Sequence, residues 1–422
     1  MKILWVVNTL FPDLSIALGK KLPTAGGWMY GLARDMVERG VQLTVVTARP
    51  DLPDFQKEIN TITYYLMQGK KGRERYDSTL ENKWKTIVER VQPDLIHIHG
   101  TEYAHGLSLL RTFPDLKYVV SIQGLISAYT RYYFGGIARK DLRKHITFRD
   151  ILKWDSMFQA FQKFQRKGID IELSYLRTVN DFIGRTQWDL DHVKTVNPES
   201  TYHFCNESLR DPFYSSVKWD STTKTTHSLF FSQAGYPLKG LHKALEAVAI
   251  VKRFYPNIKV RVAGSNLLKS KSIKERLSIR GYGSYVSTLV NTLGLKDHVT
   301  FTGPLNADGM VEEYLKAHAF ICPSSIENSP NSLGEAQLLG VPCIAAYVGG
   351  VPDMLEHKRT GLLYRFEEVE MLAQRIMEVF KDDHLAKMLS KNGIKAGQKR
   401  HDRQKNAQRL LEIYKERIET TN

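Results

Sequence analysis

Short apolar runs of strand length alternate with longer amphipathic stretches along most of this chain. In the first half the runs are "KILWVVN" (2–8), "VQLTVVTA" (41–48), "DLIHIHG" (94–100), "KYVVSIQG" (117–124) and "DFIGRT" (181–186). In the second half they are "SLFFSQAG" (228–235), "IKVRVAGS" (258–265), "HVTFTG" (298–303), "AFICPS" (319–324) and "VPCIAAY" (341–347). This alternation is typical of βαβ units and parallel sheets.

The length of 422 residues is too great for one ordinary core. We therefore expect an α/β protein with two doubly wound parallel-sheet domains that face each other across a cleft. A polar, Ser/Thr-rich stretch at 207–226 has no sustained period and is interpreted as the interdomain linker. The expected division is an N-terminal domain over 1–213, a C-terminal domain over 214–395, and a C-terminal helix over 396–422 that packs back towards the N-terminal domain.

Cysteine content and hydropathy indicate a cytoplasmic protein. Cys205, Cys322 and Cys343 show no paired spacing, so neither a disulfide framework nor a cysteine metal site is expected. The apolar run after Lys2 is too short for a secretory signal core, and no run approaches 18 apolar residues.

The formal net charge of +15 indicates an acidic partner. Residues 131–167 contain ten Lys/Arg and three Asp, a net of +7 by subtraction, interleaved with aromatic side chains. Such a surface suits an anionic membrane at the inner, cytoplasmic face, where the protein would be peripheral. A solvated helical face with its aromatics in the core is the plainer alternative. Single-stranded nucleic acid is less favoured because no nucleic-acid-binding motif is recognisable, and it is not expected as a partner.

Ligands of open α/β sheets bind beyond the carboxyl ends of the strands, so polar residues directly after strands are candidate site residues. The stretch "IENSPNSLGEAQLLG" (326–340) follows such a strand with a polar turn and a helix. Ser332 and Glu335 have the spacing of a capping box, and the helix N-terminus attracts anions such as phosphate. Glu335 and Glu327 are acceptor-only carboxylates that suit sugar hydroxyls. The alternative is that Glu335 only completes the capping box and Glu327 is a solvated loop residue.

Two further turns follow strands of the second half. In "YVGGVPDML" (347–355) two glycines permit a close backbone approach, although an ordinary tight turn is the alternative. In "SQAGYPLKGLHKAL" (232–245) Lys239 lies at a helix start, where a lysine can meet a phosphate or simply be exposed.

These segments resemble the family-4 retaining glycosyltransferases of the GT-B fold. "PSSIENSPNSLGEAQLLGVPCIAAYVGGVPDML…TGLL" is similar to the carboxyl-lobe signature of that family, and "GYPLKGLHKALEAV" to its lysine–glycine segment. "TAGGWMYGLARDMVERGVQLTVVTA" resembles its N-terminal glycine loop and helix. The resemblance implies two Rossmann-like domains, the first binding the acceptor and the second the nucleotide sugar.

The resemblance also implies roles for individual residues. Glu335 resembles the residue that binds the ribose of the donor, Glu327 the one near the donor sugar, and Lys239 the lysine that neutralises the diphosphate leaving group. The donor-binding residues implied are Gly27, Ser232, Lys239, Gly264, Gly303, Leu305, Asn331, Ser332, Leu333 and Glu335. The acceptor-binding residues expected are Gly26, Gly27, His99, Glu102 and Arg185. The catalytic residues implied are Glu327, Lys239 and Gln123.

Two positions depart from the family pattern. Where relatives usually carry an arginine, five residues before Lys239, this chain has Ala234. Where a histidine often ends the strand "YVVSIQG", it has Gln123, whose amide cannot exchange a proton. A transfer in which the leaving diphosphate accepts the proton of the incoming hydroxyl is compatible with Gln123.

Metal binding is not expected. Asp189 and Asp191 form an Asp-x-Asp pattern, but they lie in a helix-like stretch, where residues two apart do not share a face. His97 and His99 share a strand face, but a third ligand of clear spacing is missing. We expect His97 to be packed and hydrogen-bonded, and His99 and Glu102 to face the cleft.

The predicted function is retaining, metal-independent transfer of a hexose from a nucleoside-diphosphate sugar to a glycan or lipid-linked glycan acceptor in polysaccharide biosynthesis. The nucleotide sugar is a co-substrate, and no cofactor is expected. Ala234 and Gln123 keep a catalytically weak sugar-nucleotide-binding partner protein as an alternative. The second alternative is a nucleotide-sugar epimerase.

Overall fold

A computed structural model describes residues 1–21, 27–72, 75–268 and 279–420 of the protein. The chain forms two compact units. The first unit comprises Met1–Thr130, Lys163–Arg210 and His401–Asn422, and the second comprises Arg131–Gln162 and Asp211–Arg400.

The strands in chain order are β1 (Lys2–Val6), β2 (Gln42–Arg49), β3 (Phe55–Ile59), β4 (Ile62–Gln68), β5 (Leu95–His99), β6 (Tyr118–Ser121), β7 (Asp181–Gly184), β8 (Thr201–Phe204), β9 (Ser228–Phe231), β10 (Lys259–Val262), β11 (Val299–Phe301), β12 (Ala319–Cys322), β13 (Cys343–Ala346) and β14 (Leu362–Tyr364).

The α-helices in the described ranges are α1 (Pro12–Ala17), α2 (Gly27–Glu38), α3 (Thr79–Val91), α4 (His105–Thr112), α5 (Ile126–Tyr129), α6 (Arg139–Lys144), α7 (Phe148–Leu152), α8 (Met157–Arg166), α9 (Leu173–Thr178), α10 (Gln187–Val196), α11 (Asp211–Ser215), α12 (Leu241–Val251), α13 (Gly281–Thr292), α14 (Ala307–Lys316), α15 (Asn331–Leu339), α16 (Val369–Lys381), α17 (Asp383–Arg400) and α18 (Arg403–Glu419).

The first unit is built on an eight-stranded sheet with the strand order β3-β4-β2-β1-β5-β6-β7-β8. All of its pairings are parallel except that of β3 with β4. The central strands β1, β5 and β6 are buried along almost their whole length because both faces of the sheet are covered. Along β1, Leu4 and Val6 belong to one buried cluster, whereas Ile3 and Trp5 belong to the other. Helix α18 packs on the second of these faces, where Tyr414 is fully buried.

The second unit is built on a six-stranded, entirely parallel sheet with the order β11-β10-β9-β12-β13-β14. The strands β9, β12 and β13 are buried throughout. Because all six strands run in the same direction, their carboxyl ends share one edge of the sheet. That edge carries the turns singled out in the sequence.

The predicted fold class of two parallel-sheet α/β domains is confirmed, and so are all ten predicted strands. Four strands were missed. Strand β3, "FQKEI", is an exposed edge with a charged pattern, and β14 has only three residues. The other two missed strands are β4 and β8.

The two compact units differ from the expected domains by a shift of the 213/214 boundary to Arg210/Asp211 and in two larger respects. The segment Arg131–Gln162, expected in the N-terminal domain, belongs to the second unit. It is held there by His242 Nε2, 2.8 Å from the carbonyl oxygen of Gly135, and by Ser325 Oγ, which donates to the carbonyl oxygen of Tyr132 at 3.0 Å. The other difference is at the C-terminus, where the first unit takes in the chain only from residue 401.

The expected linker at 207–226 is not uniformly irregular. Helix α11 lies within it, and Phe213 on that helix is fully buried. The indole nitrogen of Trp219 donates to the carbonyl oxygen of Ala317 at 2.7 Å. Large apolar side chains scattered among polar ones therefore anchor this stretch, which the overall polarity of the sequence concealed.

Candidate active site

The central feature of the second unit is a buried ion pair between Lys239 and Glu327. Lys239 ends a short 3-10 helix after β9, and Glu327 lies in the loop after β12. Since β9 and β12 are neighbours in the sheet, their carboxyl ends bring together side chains that are 88 residues apart. Lys239 Nζ lies 2.6 Å from Glu327 Oε1, and the side chains are 15% and 10% exposed. The alternative that Glu327 is a solvated loop residue is wrong.

The environment of the pair keeps Lys239 protonated. Burial by itself lowers the pKa of Lys239, but the adjacent Glu327 carboxylate outweighs it and raises the pKa above the ordinary value of 10.5. Ser324 Oγ donates a second hydrogen bond to Glu327 Oε1 at 2.7 Å. Two partners, Lys239 and Ser324, therefore hold the Glu327 carboxylate. The protonated ammonium group of Lys239 can also bind an anion.

Two glycines fix the backbone around this pair. Gly240 has φ +69°, and a Cβ atom there would come within 1.7 Å of the carbonyl oxygen of Pro323. Gly349 has φ +49°, and its Cβ would come within 2.0 Å of the carbonyl oxygen of Glu327. That oxygen accepts a hydrogen bond from the amide of Gly350 at 3.0 Å. The close backbone approach expected at the double-glycine turn is thus made to the Glu327 loop.

Helix α15 begins four residues after Glu327, at Asn331. Its N-cap is Pro330, with no side-chain cap, so the predicted capping box of Ser332 and Glu335 is wrong. The helix starts earlier than the sequence suggested because the amide of Leu333 donates to the carbonyl oxygen of Pro330 at 3.0 Å. Leu333 is fully buried, so its side chain cannot contact a ligand in this arrangement.

The first turn of α15 has unused hydrogen-bonding groups. The amides of Asn331 and Ser332 have no backbone acceptor within the described residues, as expected for the first turn of a helix. The Oδ1 atom of Asn331 is buried and also lacks a hydrogen-bond partner there. Glu335, one turn further on, is 5% exposed. The helix end is suited to bind an anion that also carries hydroxyl or amide donors.

The other donor-binding candidates of the second unit follow neighbouring strands at the same sheet edge. Ser232 follows β9, Gly264 follows β10, and Gly303 and Leu305 follow β11. The amide of Gly264 donates to the carbonyl oxygen of Gly303 at 3.0 Å, which ties the two loops together. Ala234, at the position where an arginine was expected, is 3% exposed.

In the first unit, Gln123 and Arg185 meet at a carboxylate that the sequence did not single out, that of Glu207. Gln123 Nε2 donates to Glu207 Oε1 at 2.9 Å, and Arg185 Nη1 lies 2.5 Å from Glu207 Oε2. Arg185 also donates to the carbonyl oxygens of Ile122 and Gln123 at 3.2 and 3.0 Å. Because a carboxylate only accepts, Glu207 directs the NH₂ group of Gln123 towards itself and leaves the amide oxygen for another donor. Glu207 follows β8, a strand that the sequence analysis missed, so the rule of polar residues after strands did not select it.

His97 and His99 lie side by side on β5, with ring centroids 3.7 Å apart. The prediction that His97 is packed and hydrogen-bonded is confirmed, since its ring nitrogens lie 2.5 Å from Tyr414 Oη and 2.6 Å from Ser121 Oγ. We expected His99 to face the cleft, and the structure buries it within the first unit. It is 2% exposed and stacks on Trp5 at 4.3 Å.

Both ring nitrogens of His99 lack hydrogen-bond partners among the described residues. Burial lowers its pKa to about 3, so the ring is neutral at physiological pH. A cavity of about 20 Å³ lies against it, lined also by Trp28, Arg185 and Glu207. That volume holds about one water molecule. A ligand group that contacts His99 would therefore have to occupy this cavity.

The remaining candidates of the first unit are Glu102, Gly26 and Gly27. Glu102 is half-buried, accepts a hydrogen bond from Asn8 Nδ2 at 3.3 Å, and has its pKa raised by burial. Gly27 is the exposed first residue of α2. Gly26 lies outside the described residues.

The Asp-x-Asp pattern lies on helix α10, where each carboxylate has a structural partner. Asp189 forms a capping box with Thr186, and Asp191 Oδ1 accepts from Gln187 Nε2 at 2.7 Å. Within the described ranges, no group of three or more His, Cys, Asp or Glu side chains is arranged to hold a metal ion.

Comparison with known proteins identifies the class to which this fold and these strand-end sites belong. The profile of "Glycosyl transferases group 1" matches residues 218–396, and that of "Glycosyltransferase Family 4" matches residues 26–160. Among solved structures, sucrose-phosphate synthase from Thermosynechococcus elongatus superposes with a TM-score of 0.70 over 98% of each chain, at 16% identity. Anabaena HepE in complex with UDP-glucose superposes with a TM-score of 0.64 over 99% of this chain and all of that chain, at 15% identity. The fold is thus that of the GT-B glycosyltransferases.

Among curated proteins, the GDP-mannose-dependent alpha-(1-6)-phosphatidylinositol monomannoside mannosyltransferase of Mycobacterium tuberculosis is 32% identical over 137 residues, 30% of this chain and 33% of that relative. The matched regions span from 33% to 57% of the length of the first three curated relatives. The two profile matches and the shared fold together show that the chain belongs to glycosyltransferase family 4.

Proposed function

We propose that this protein is a retaining glycosyltransferase that transfers a hexose from a nucleoside-diphosphate sugar to a glycan or lipid-linked glycan acceptor. The observation that carries the proposal is the buried Lys239–Glu327 pair. Glu327 lies four residues before the N-terminus of α15, whose first amides have no backbone acceptor in the described ranges. A cation and free amides suit a diphosphate, and carboxylates suit sugar hydroxyls. The solved neighbour in complex with UDP-glucose and the GDP-mannose-dependent relative support a sugar-nucleotide donor.

In the proposed mechanism the amides of Asn331 and Ser332 and the ammonium group of Lys239 bind the diphosphate. Glu335 accepts hydrogen bonds from the ribose, and Glu327 accepts one from the donor sugar. The acceptor oxygen bonds to the anomeric carbon on the face from which the diphosphate departs. The bond to the phosphate oxygen breaks, and the acceptor proton passes to that oxygen. Stabilisation of the leaving charge is then the main task of the protein.

Metal independence is part of the proposal, since Lys239 and the helix amides supply positive charge where a cation would otherwise act. In the first unit, the amide oxygen of Gln123 and the side chain of Arg185 are proposed to contact the acceptor or the transferred sugar. Glu207 holds both of these groups in position.

We place the protein in the cytoplasm, in polysaccharide biosynthesis, with an anionic membrane surface as a partner through 131–167. No helix in the described ranges is both long enough and apolar enough to cross a bilayer. The exposed basic side chains of 131–167 support peripheral contact.

The test is turnover of a panel of UDP-, GDP- and ADP-sugars with and without glycan acceptors. Acceptor-dependent release of nucleoside diphosphate supports the proposal, and NMR of the product tests whether the anomeric configuration is retained. An undiminished rate in EDTA supports metal independence. Donor binding without turnover would favour the weak binding protein, and isomerisation of the donor without acceptor would favour the epimerase.

A further inference from the structure

Apolar side chains of helix α7, together with those of Ile146 and Trp154 two residues before and after it, form an exposed apolar surface, here called the apolar cap. It consists of Ile146, Phe148, Ile151, Leu152 and Trp154. Phe148, Ile151, Leu152 and Trp154 are 65%, 64%, 71% and 78% exposed, whereas large apolar side chains elsewhere in the chain are mostly buried. A cluster of this kind on one short helix indicates an interaction surface.

The apolar cap is held in place by polar contacts beneath it. Thr147 and Asp150 form a capping box at the start of α7, and Thr147 Oγ1 donates to the carbonyl oxygen of Ile279 at 2.9 Å. Arg149 Nη1 lies 3.3 Å from Asp155 Oδ2. Trp154 has φ +48°, a left-handed conformation that is unfavourable for a bulky residue and needs support from its surroundings. The exposed side chains are therefore presented by a structured turn.

Four other aromatic residues of 131–167 have a different environment, whereas Tyr132 is 45% exposed. Phe134 and Phe161 have ring centroids 4.9 Å apart, Tyr133 packs on Phe161 at 5.4 Å, and Phe134 packs on Phe158 at 5.8 Å. These rings pack against one another within the segment. The surface available to a partner is thus narrower than the segment predicted from the sequence.

The charge around the apolar cap is one-sided. Five basic side chains between residues 139 and 153 are exposed, namely Arg139, Lys140, Arg143, Lys144 and Lys153. The three acidic residues nearby are less exposed: Asp141 is half-buried, Asp150 is buried in its capping box, and Asp155 is paired with Arg149 and, at 3.6 Å, with Arg280. Exposed cations beside exposed apolar groups match the headgroups and the acyl boundary of an anionic bilayer.

Other partners fit this surface less well. Protein interfaces are depleted in lysine, and nucleic acid has no use for the aliphatic side chains of Ile146, Ile151 and Leu152. We propose that the apolar cap inserts into the surface of an anionic phospholipid bilayer while the five basic side chains contact lipid headgroups. This inference deepens the proposed function and rests on its lipid-linked acceptor. The cap belongs to the second unit, so membrane contact is assigned to the unit that contains Lys239 and Glu327.

The experiment measures partition of the full chain onto phosphatidylcholine vesicles with and without 30% phosphatidylglycerol. We expect binding to the anionic vesicles only, and weaker binding as salt rises. The triple variant Arg143→Gln/Lys144→Gln/Lys153→Gln is expected to bind about 100-fold less tightly, at about fivefold per lost charge. Lys391→Gln/Lys395→Gln/Lys399→Gln, which removes three exposed lysines of α17, is the matched charge control and is expected to bind like the wild type.

A second pair of variants tests insertion. Leu152→Ser/Trp154→Ser is expected to lose at least tenfold in vesicle affinity, because two largely exposed apolar side chains no longer enter the bilayer. Val217→Ser/Phe254→Ser removes apolar side chains of the second unit that are 75% and 66% exposed and lie outside the cap, so binding is expected to persist. Brominated lipid should quench the fluorescence of the wild type more than that of Trp154→Phe. Circular dichroism checks that each variant is folded.

Equal binding to neutral and anionic vesicles, no binding to either, or equal losses in cap and control variants would overturn the inference. Self-association of the wild type that disappears in Leu152→Ser/Trp154→Ser would also overturn it, in favour of a protein interface. Transfer to a water-soluble acceptor separates the two proposals. If no variant transfers sugar but vesicle binding is still lost selectively, the proposed function fails and the membrane surface stands.

Discussion

Replacement of Lys239 by methionine tests whether this side chain serves the reaction or only the fold. The substitution keeps the length of the side chain but leaves Glu327 buried, with the hydroxyl group of Ser324 still donating to its carboxylate. Breaking a buried ion pair costs about 3–5 kcal/mol, and the retained hydroxyl favours the lower figure. For a unit of roughly 200 residues, a loss of about 3 kcal/mol lowers the Tm by about 6–12 °C.

Removing the second charge separates the two roles. In the variant Lys239→Met/Glu327→Gln both partners are neutral, so we expect most of the lost Tm to return. Turnover should not return, because a charge-assisted contact to the leaving diphosphate is worth about 1.5–3 kcal/mol, or roughly 10- to 150-fold in rate. The pKa of Lys239 is raised above 10.5, so the stabilisation is fully present below pH 10.5 and is lost only above it. The Tm difference between wild type and Lys239→Met should therefore be constant from pH 6 to 9.

The assays are thermal unfolding followed by circular dichroism and release of nucleoside diphosphate under single-turnover conditions. Glu327→Gln alone is the reference for loss of the carboxylate, and we expect it to lower turnover more than donor binding. The reasoning is refuted if turnover of the double variant recovers together with its Tm and exceeds that of Glu327→Gln. Lys239 would then act only as the counter-charge of Glu327.

Three further predictions concern other residues. Glu335→Ala should weaken nucleotide binding, and an unchanged calorimetric affinity would remove the ribose assignment. Burial lowers the pKa of His99 to about 3, so the unfolded chain takes up a proton below about pH 6.5 that the folded chain does not, and stability falls with pH. His99→Phe should reduce the loss of unfolding free energy between pH 7 and pH 5 by about 2 kcal/mol in urea titrations, and an unchanged loss would contradict the buried neutral ring. Gly240→Ala should unfold the second unit at a much lower temperature because of the contact with Pro323, whereas Gly393→Ala, in a helix with no close contact, should be neutral or stabilising. Similar Tm values for the two glycine variants would show that the Gly240 turn can shift without cost.

The sequence predicted the fold class because ten of the fourteen strands in the described ranges are marked by a local apolar run. It also predicted the edge of the second sheet at which the candidate residues gather, since parallel strands place their carboxyl ends together. The selection of Lys239 and Glu327 followed from that rule and from the resemblance to family 4. Their roles in donor binding stay predictions.

Local pattern failed at three points, and at two of them a long-range contact decided the outcome. Ser332 and Glu335 have capping-box spacing, yet the helix begins at Asn331. His99 ends a strand, yet it is buried, because Trp5 from β1 stacks against it. Glu207 has no motif of its own and became visible only through Gln123, 84 residues away.

Residues 131–167 show the same division between sequence and structure. Composition alone established a basic, aromatic-rich segment with an acidic partner as its expected ligand. Only the tertiary structure decided that Phe134 and Phe161 pack against each other, that Phe148 and Trp154 stay exposed, and that Arg131–Gln162 belongs to the second unit. The physical reason is that charge and hydrophobic period are properties of neighbouring residues, whereas burial and ion pairing depend on which distant residues the fold brings into contact.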